Sequence, residues 1–204
     1  MGLVPFFKSN SIKMRFVRNT FPDALNVVSL DTAKSHLRVE HTTDDTLITT
    51  LISVAQDLVE AYTGAFLQPT TGYFFFDRFH DFFFLHAGPS LAINTAVDGL
   101  TYINDDEVRT TVSSDDYQLD GEGYPARLGM MDTPSDVDDA FNAVRIDVTA
   151  GYNDDNRPDA LIAAMLLIIG HLYENRQDVS QFQTFETPLA SRYLMNPYRL
   201  KSFT

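Results

Sequence analysis

Two capped helices and a break between them are written into residues 29–64, SLDTAKSHLRVEHTTDDTLITTLISVAQDLVEAYTG, and no other stretch limits the fold as strongly. In the second, Leu47, Ile48, Leu51, Ile52, Val54, Ala55, Leu58, Val59 and Tyr62 recur every three to four residues. Thr49, Thr50, Ser53, Gln56, Asp57 and Glu60 fill the other side. That period predicts an amphipathic helix over about 43–63 with one broad buried face. Thr42 or Thr43 is suited to accept a first-turn N–H, and Asp44 and Asp45 place negative charge at the positive end of the helix dipole. Gly64 is free to take the left-handed conformation that ends a helix. Ser29 is the expected cap of a shorter helix over about 30–37, joined to the second by the turn Glu40-His41-Thr42.

A core is affordable: 204 residues at 44 % hydrophobic content suit one domain, or one domain with an elaborated insertion. The absence of cysteine excludes disulfides, thiolate metal sites and a Cys nucleophile. The longest apolar run, residues 160–170, is half the roughly 20 residues a membrane-spanning helix requires, so it predicts a buried helix and no membrane partner. The N-terminal bases Lys8, Lys13, Arg15 and Arg18 are not followed by a continuous apolar segment, which argues against a secretory signal and for synthesis in a cytoplasm.

The formal charge of −13 is concentrated rather than spread. From Asp98 to Asp155 fifteen acids stand against Arg109, Arg127 and Arg145, a net of −12. Residues 1–22 hold four bases and no acid, and residues 187–204 hold Arg192, Arg199 and Lys201, again with no acid. Two basic ends flank an acidic centre.

After Gly64 the helical period stops, and strand and turn signals run to about Val148. Tyr73 to Phe76 and Phe82 to Leu85 bracket the segment Asp77 to Asp81, the pattern of a hairpin, with eight aromatics in twelve residues. Strands apolar on both faces need cover on both, and Tyr73, Phe75, Phe82 and Phe84 are candidate contacts to another subunit. Val97 to Ile103 and Glu107 to Val112 form a second expected hairpin around Asn104-Asp105-Asp106. Tyr117 to Leu119 and Ala143 to Thr149 are further strands of a small antiparallel sheet.

Helix returns at Pro158 and is expected to about Arg176. Its centre is apolar all round, so it must be enclosed; one helical pair and a small sheet leave it short of cover, which points to self-association. The tail carries Pro188 and Pro197 with Leu189, Tyr193, Leu194, Met195, Tyr198, Leu200 and Phe203.

Chemistry has no marked seat. His36, His41, His80, His86 and His171 show no ligand spacing. Asp136-Val-Asp138-Asp139-Ala-Phe lacks the glycine and glutamate of a calcium loop, and no nucleophile elbow, phosphate loop or dinucleotide fingerprint occurs. Phosphate-binding cations cluster only at the two ends, so a basic nucleic-acid face is absent. An acidic middle suits a channel that lets DNA pass without gripping it, and equally a surface kept acidic for solubility.

Four blocks in order, SLDTAKSHLRV, DDTLITTLISVAQDLVEAYTG, VTAGYNDDNRPDALIAAMLLIIGHLYENR and LMNPYRL, resemble the head–tail connector (adaptor, or head-completion) proteins of tailed bacteriophages. The likeness runs from about Val27 to Arg199 and is weakest from Thr70 to Asn142. The basic extension before Val27, the Phe-rich segment and the lack of tryptophan depart from the common pattern. The resemblance implies a helical core carrying an inserted sheet, about a dozen copies in a ring beneath the portal, a C-terminal arm docked on the portal, and DNA travelling through the lumen.

The expectation is therefore an α+β fold: a small helical bundle, an antiparallel β insertion over about 70–150, and an extended C-terminal arm. Residues 1–26 form a basic extension, 27–186 the connector domain and 187–204 the docking arm. The function expected is that of a structural virion protein in the neck, not an enzyme, with no cofactor and no metal. Its partners are the portal protein, further copies of itself, a downstream neck or tail protein, and DNA without sequence preference. The docking residues are Leu189, Arg192, Tyr193, Leu194, Pro197, Tyr198 and Arg199, ordered only on docking; Asp105, Asp106, Glu107, Asp115 and Asp116 are the candidate acidic lumen or surface. A tail-completion protein on the tail side of the same junction is the nearest rival, and an acidic metal-dependent hydrolase using Asp136 to Asp139 or His80 to His86 a more distant one.

Overall fold

The computed structural model describes residues 15–19, 27–95, 99–175 and 189–201. The elements follow as β1 (Arg15–Arg18), α1 (Leu30–Leu37), α2 (Asp45–Thr63), β2 (Thr70–Phe76), β3 (Phe82–Leu85), β4 (Ala92–Ile93), β5 (Leu100–Ile103), β6 (Arg109–Thr111), β7 (Tyr117–Asp120), β8 (Ala126–Met130), β9 (Val144–Ala150), α3 (Asp159–Glu174) and α4 (Leu189–Met195). The expected α+β class, helical bundle plus antiparallel insertion, is what the chain adopts.

The caps form largely as their chemistry dictates. Ser29 Oγ accepts from Thr32 N–H at 3.1 Å, and Gly64 closes α2 at φ 72 with its N–H donated to the Glu60 carbonyl. The start of α2 differs: Asp44, not Thr42 or Thr43, is its first flanking residue, and its side chain makes no cap bond. That carboxylate instead accepts the Tyr173 hydroxyl of α3 at 2.5 Å, a tertiary demand that outweighs the local one.

Two cores result. The helical core joins Ile48, Ile52, Ala55 and Val59 of α2 to Leu161, Ala164, Met165, Ile168 and Ile169 of α3, with Ala33 of α1 and Met195 of α4. The other lies between two sheets. The larger has the order β1-β2-β9-β5-β6, with β4 also on β9; the smaller has the order β3-β8-β7. Phe74, Phe76, Val144, Ile146, Val148 and Leu100 of the first meet Phe83, Leu85, Ala126 and Leu128 of the second, and the Phe76 and Phe83 rings lie 4.6 Å apart.

The expected hairpin of the two aromatic runs does not form. β2 pairs with β1 and β9, whereas β3 pairs with β8 in the other sheet, so the aromatics face one another across the core instead of side by side. Stacking buries both inner faces, which one hairpin cannot do. The hairpin β5–β6 does form around residues 104–107, Tyr117 to Leu119 lies in β7, and Ala143 to Thr149 overlaps β9. The basic extension is not wholly separate, because its residues 15–18 are edge strand β1 in the larger sheet. The rest of residues 1–26 except Asn19 lies outside the described residues.

The C-terminal segment overturns a larger expectation. It is not an extended arm: α4 and the 3-10 turn Asn196–Tyr198 pack on the helical core, with Ser191 and Met195 buried and Leu194 and Tyr198 half-buried. Leu200 N–H donates to the Thr63 carbonyl at 2.7 Å, and Tyr62 Oη donates to Asn196 Oδ1 at 2.6 Å. α4 thus supplies from within the chain much of the cover that the apolar α3 was expected to need from another subunit. Arg176, Pro188 and Phe203 lie outside the described residues.

Candidate assembly surfaces

Strand alternation separates the four aromatic candidates. Phe82 and Phe84 point away from the core on β3, 62 % and 50 % exposed, while Phe83 and Leu85 fill it. Phe82 lies over Gly129, its cross-strand partner, and Phe84 lies opposite Arg127, which pairs with Asp120 at 2.7 Å. That hydrogen bond to Arg127 holds the Asp120 carboxyl below the usual carboxylate range. Tyr73 and Phe75 belong elsewhere. They sit half-buried on the outer face of the larger sheet, between β1 and β9, and Arg145 stacks on the Tyr73 ring at 4.3 Å. Arg145 in turn holds the buried Asp147 carboxylate at 2.6 Å. The two pairs therefore occupy different sheets.

The docking set splits the same way. Tyr193, 73 % exposed, and Pro197 and Arg199 lie on the surface, Arg192 is half-buried, and Leu194 and Tyr198 pack inward. The Leu189 side chain lies outside the described residues. Arg199 stacks over the Tyr62 ring at 5.6 Å. Only part of the sequence-derived set is available to a partner, because a seven-residue helix takes its stability from the core it covers.

Acids gather where sequence separation hides it. Asp105, Asp106 and Glu107 are exposed at the tip of the β5–β6 hairpin, where Asn104 Oδ1 accepts Val108 N–H at 2.8 Å and Glu107 takes φ 61. The strand-like bridge Asn104↔Val137 and the bonds Asp105 N–H to Asp136 O and Asp138 N–H to Ile103 O lay the Asp136 to Asp139 loop against that hairpin. Tyr102 donates to Asp136 Oδ1 at 2.9 Å; burial, and then this bond to a carboxylate, raise its phenol above the ordinary 10.0. Asp115 and Asp116 stand apart, in a 3-10 turn before β7 whose Asp116 carbonyl receives Met131 N–H at 2.7 Å.

The two loci of the hydrolase rival converge. Asp77, His80 and Asp81 line one cleft of about 300 Å³ with Asp138 and Asp139. Asp77 already accepts Asn142 N–H at 3.0 Å, and His80 packs edge-on against Phe83. Among the described residues no group of three or more His, Asp or Glu is arranged to hold a metal ion. No helix of the described residues is long and apolar enough to cross a membrane.

Residues 27–81 match the family described as phage gp6-like head-tail connector protein. That segment, α1 to the end of β2 and the loop after it, is similar to the head–tail connector proteins. Three solved chains share this fold, each 18 % identical and covering 93 % of this chain and 97 % of its own length. One is from the neck of an empty gene transfer agent (GTA) particle computed with C6 symmetry, TM-score 0.72. Another is from the virion of a native GTA particle, TM-score 0.71, and the third from the neck of a native GTA particle computed with C12 symmetry, TM-score 0.68. No curated protein sequence matches this chain significantly. The family match ends at Asp81, after β2, so the fold comparison alone extends over the rest of the β unit, α3 and α4.

Proposed function

We propose that the connector is a non-enzymatic structural protein that assembles into a twelve-membered ring in the virion neck, below the portal, joining head to tail around the path of the DNA. The observation that carries this reading is the fold shared over nearly the whole chain with chains from GTA necks, one of them computed with C12 symmetry. Exposed aromatics support it, since Phe82 and Phe84 lie side by side on a surface strand in a chain otherwise rich in surface acids.

The portal contact falls to the exposed side of α4 and the turn after it: Tyr193, Pro197 and Arg199, with Arg192 beside them. Leu194 and Tyr198 fix the helix from beneath. A rigid tyrosine flanked by arginines is the residue composition that dominates protein interfaces. The hairpin tip of Asp105, Asp106 and Glu107 is the surface best suited to the lumen, where carboxylates repel the phosphate backbone and prevent the grip that arginines would give.

The test is Tyr193→Ala in the full chain, assayed for portal binding with the fold followed by circular dichroism. An unchanged spectrum with affinity reduced about tenfold or more is expected. Unchanged affinity assigns the docking surface elsewhere, and cross-linking from position 193 to a tail-side protein favours the tail-completion reading.

A further inference from the structure

A cyclic ring needs two different patches on every copy, because each subunit meets its neighbours through opposite, non-identical sides. One patch is the outer face of the small sheet. Phe82 and Phe84 project there, and Met131, the residue that follows β8 at the same end as Gly129, adds a side chain 72 % exposed. A second lies on α2.

The helix carries more apolar side chains than its core uses. Ile48, Ile52, Ala55 and Val59 fill the core against α3 and Leu51 packs on its margin, yet Leu51 and Leu47 remain half-buried, and Val54 and Leu58 are 38 % and 46 % exposed. Leu47, Leu51, Val54 and Leu58 follow one another at spacings of four, three and four, the seam of a helix meeting a partner. Over the described residues eight large hydrophobic side chains are exposed, and five of them fall in these two patches, so the exposure is grouped rather than scattered.

We infer that the α2 seam, Leu47, Leu51, Val54 and Leu58, seats the Phe82–Phe84–Met131 face of a neighbouring copy of this chain. The seam and the face are not interchangeable, as a closed ring requires: one is a ridged helix flank, the other a flat aromatic sheet surface. Asp57 borders the seam on α2, and the face is bordered by Arg127, opposite Phe84 on β8, whose exposed guanidinium is paired with Asp120 on its β7 side. Neither patch contains a lysine, the residue most often used to keep an exposed apolar surface from associating. The inference rests on the ring reading above and adds which surfaces close it.

The chain has no cysteine, so introduced thiols report without background. Leu58→Cys combined with Phe84→Cys in the full chain, treated in assembled necks with a short bismaleimide, should give a covalent ladder on a denaturing gel. Each single variant should give none. Dimers from Leu58→Cys alone show the seam meeting itself and overturn the assignment. A ring seen in the neck without a ladder overturns the seam and leaves the ring reading standing; a neck without a ring overturns both. As a check on fold, Val54→Glu should keep the wild-type circular dichroism spectrum while weakening self-association about tenfold or more, and unchanged self-association refutes the seam.

Discussion

Met195→Ala measures whether the C-terminal helix belongs to the fold in solution or is ordered only by a partner. Met195 is 1 % exposed and joins α4 to the core of α2 and α3. Truncating a fully buried methionine removes its transfer free energy and leaves a cavity, about 2–5 kcal/mol together. At about 3 kcal/mol, a chain of this size should lose roughly 6–12 °C of Tm. Urea unfolding of the full chain, followed by far-UV circular dichroism, is the assay. The midpoint should fall with the slope unchanged, since the surface exposed on unfolding is nearly the same. Tyr193→Ala, on the exposed side of the same helix, is the control and should stay within about 0.5 kcal/mol. If Met195→Ala also costs less than about 0.5 kcal/mol, α4 is detached in solution, the helical core closes without it, and the reasoning that it covers α3 is wrong.

Gly151→Ala should be among the most damaging single substitutions. The residue sits at φ 126, and a Cβ there falls 2.2 Å from the Gln68 carbonyl oxygen, so both the backbone conformation and the space exclude a side chain. A loss above about 3 kcal/mol, or failure to fold, is expected by denaturation, and a stable wild-type-like Gly151→Ala contradicts the tight junction between β9 and α3. Tyr102 has its folded pKa raised above 10.0, so its contribution to stability is fully present below pH 10 and is lost as pH rises through the folded value. Tyr102→Phe should therefore make alkaline unfolding less steep and remove one late tyrosinate step from the absorbance titration; an unchanged profile refutes the assignment.

Much of the helical half was legible because its signals are local. Ser29 as a cap, Gly64 as a stop and the apolar run from Ala160 are read within a few residues of where they act. The β unit was legible in its strands but not in their partners. Tyr73 to Phe76 and Phe82 to Leu85 look like one hairpin because they are near in sequence, yet β2 takes β9 from the far end of the insertion and β3 takes β8. Pairing is decided by which arrangement buries Phe74, Phe76, Phe83 and Leu85 together, an energy no local window contains.

The candidate surfaces were legible only in kind. Period-two alternation marks two sets of β2 and β3 side chains but does not say which face solvent, so it groups Tyr73 and Phe75 with Phe82 and Phe84 although they occupy another sheet. The α2 seam was hidden for a related reason: a helical wheel shows that Val54 and Leu58 are apolar but not that the core ends before reaching them.

By itself the sequence determined the three helices α1 to α3 and most of their ends, the β insertion between them, the concentration of acid in the middle, the exclusion of cysteine chemistry and the likeness to connectors. These follow from composition, period and capping, which act over a few residues. Tertiary structure alone decided that the tail is a packed helix, that the acids of the hairpin and of Asp136 to Asp139 share one end, and which apolar residues stay outside. Each of these depends on competition among distant segments for a limited buried surface, and only the folded chain resolves that competition.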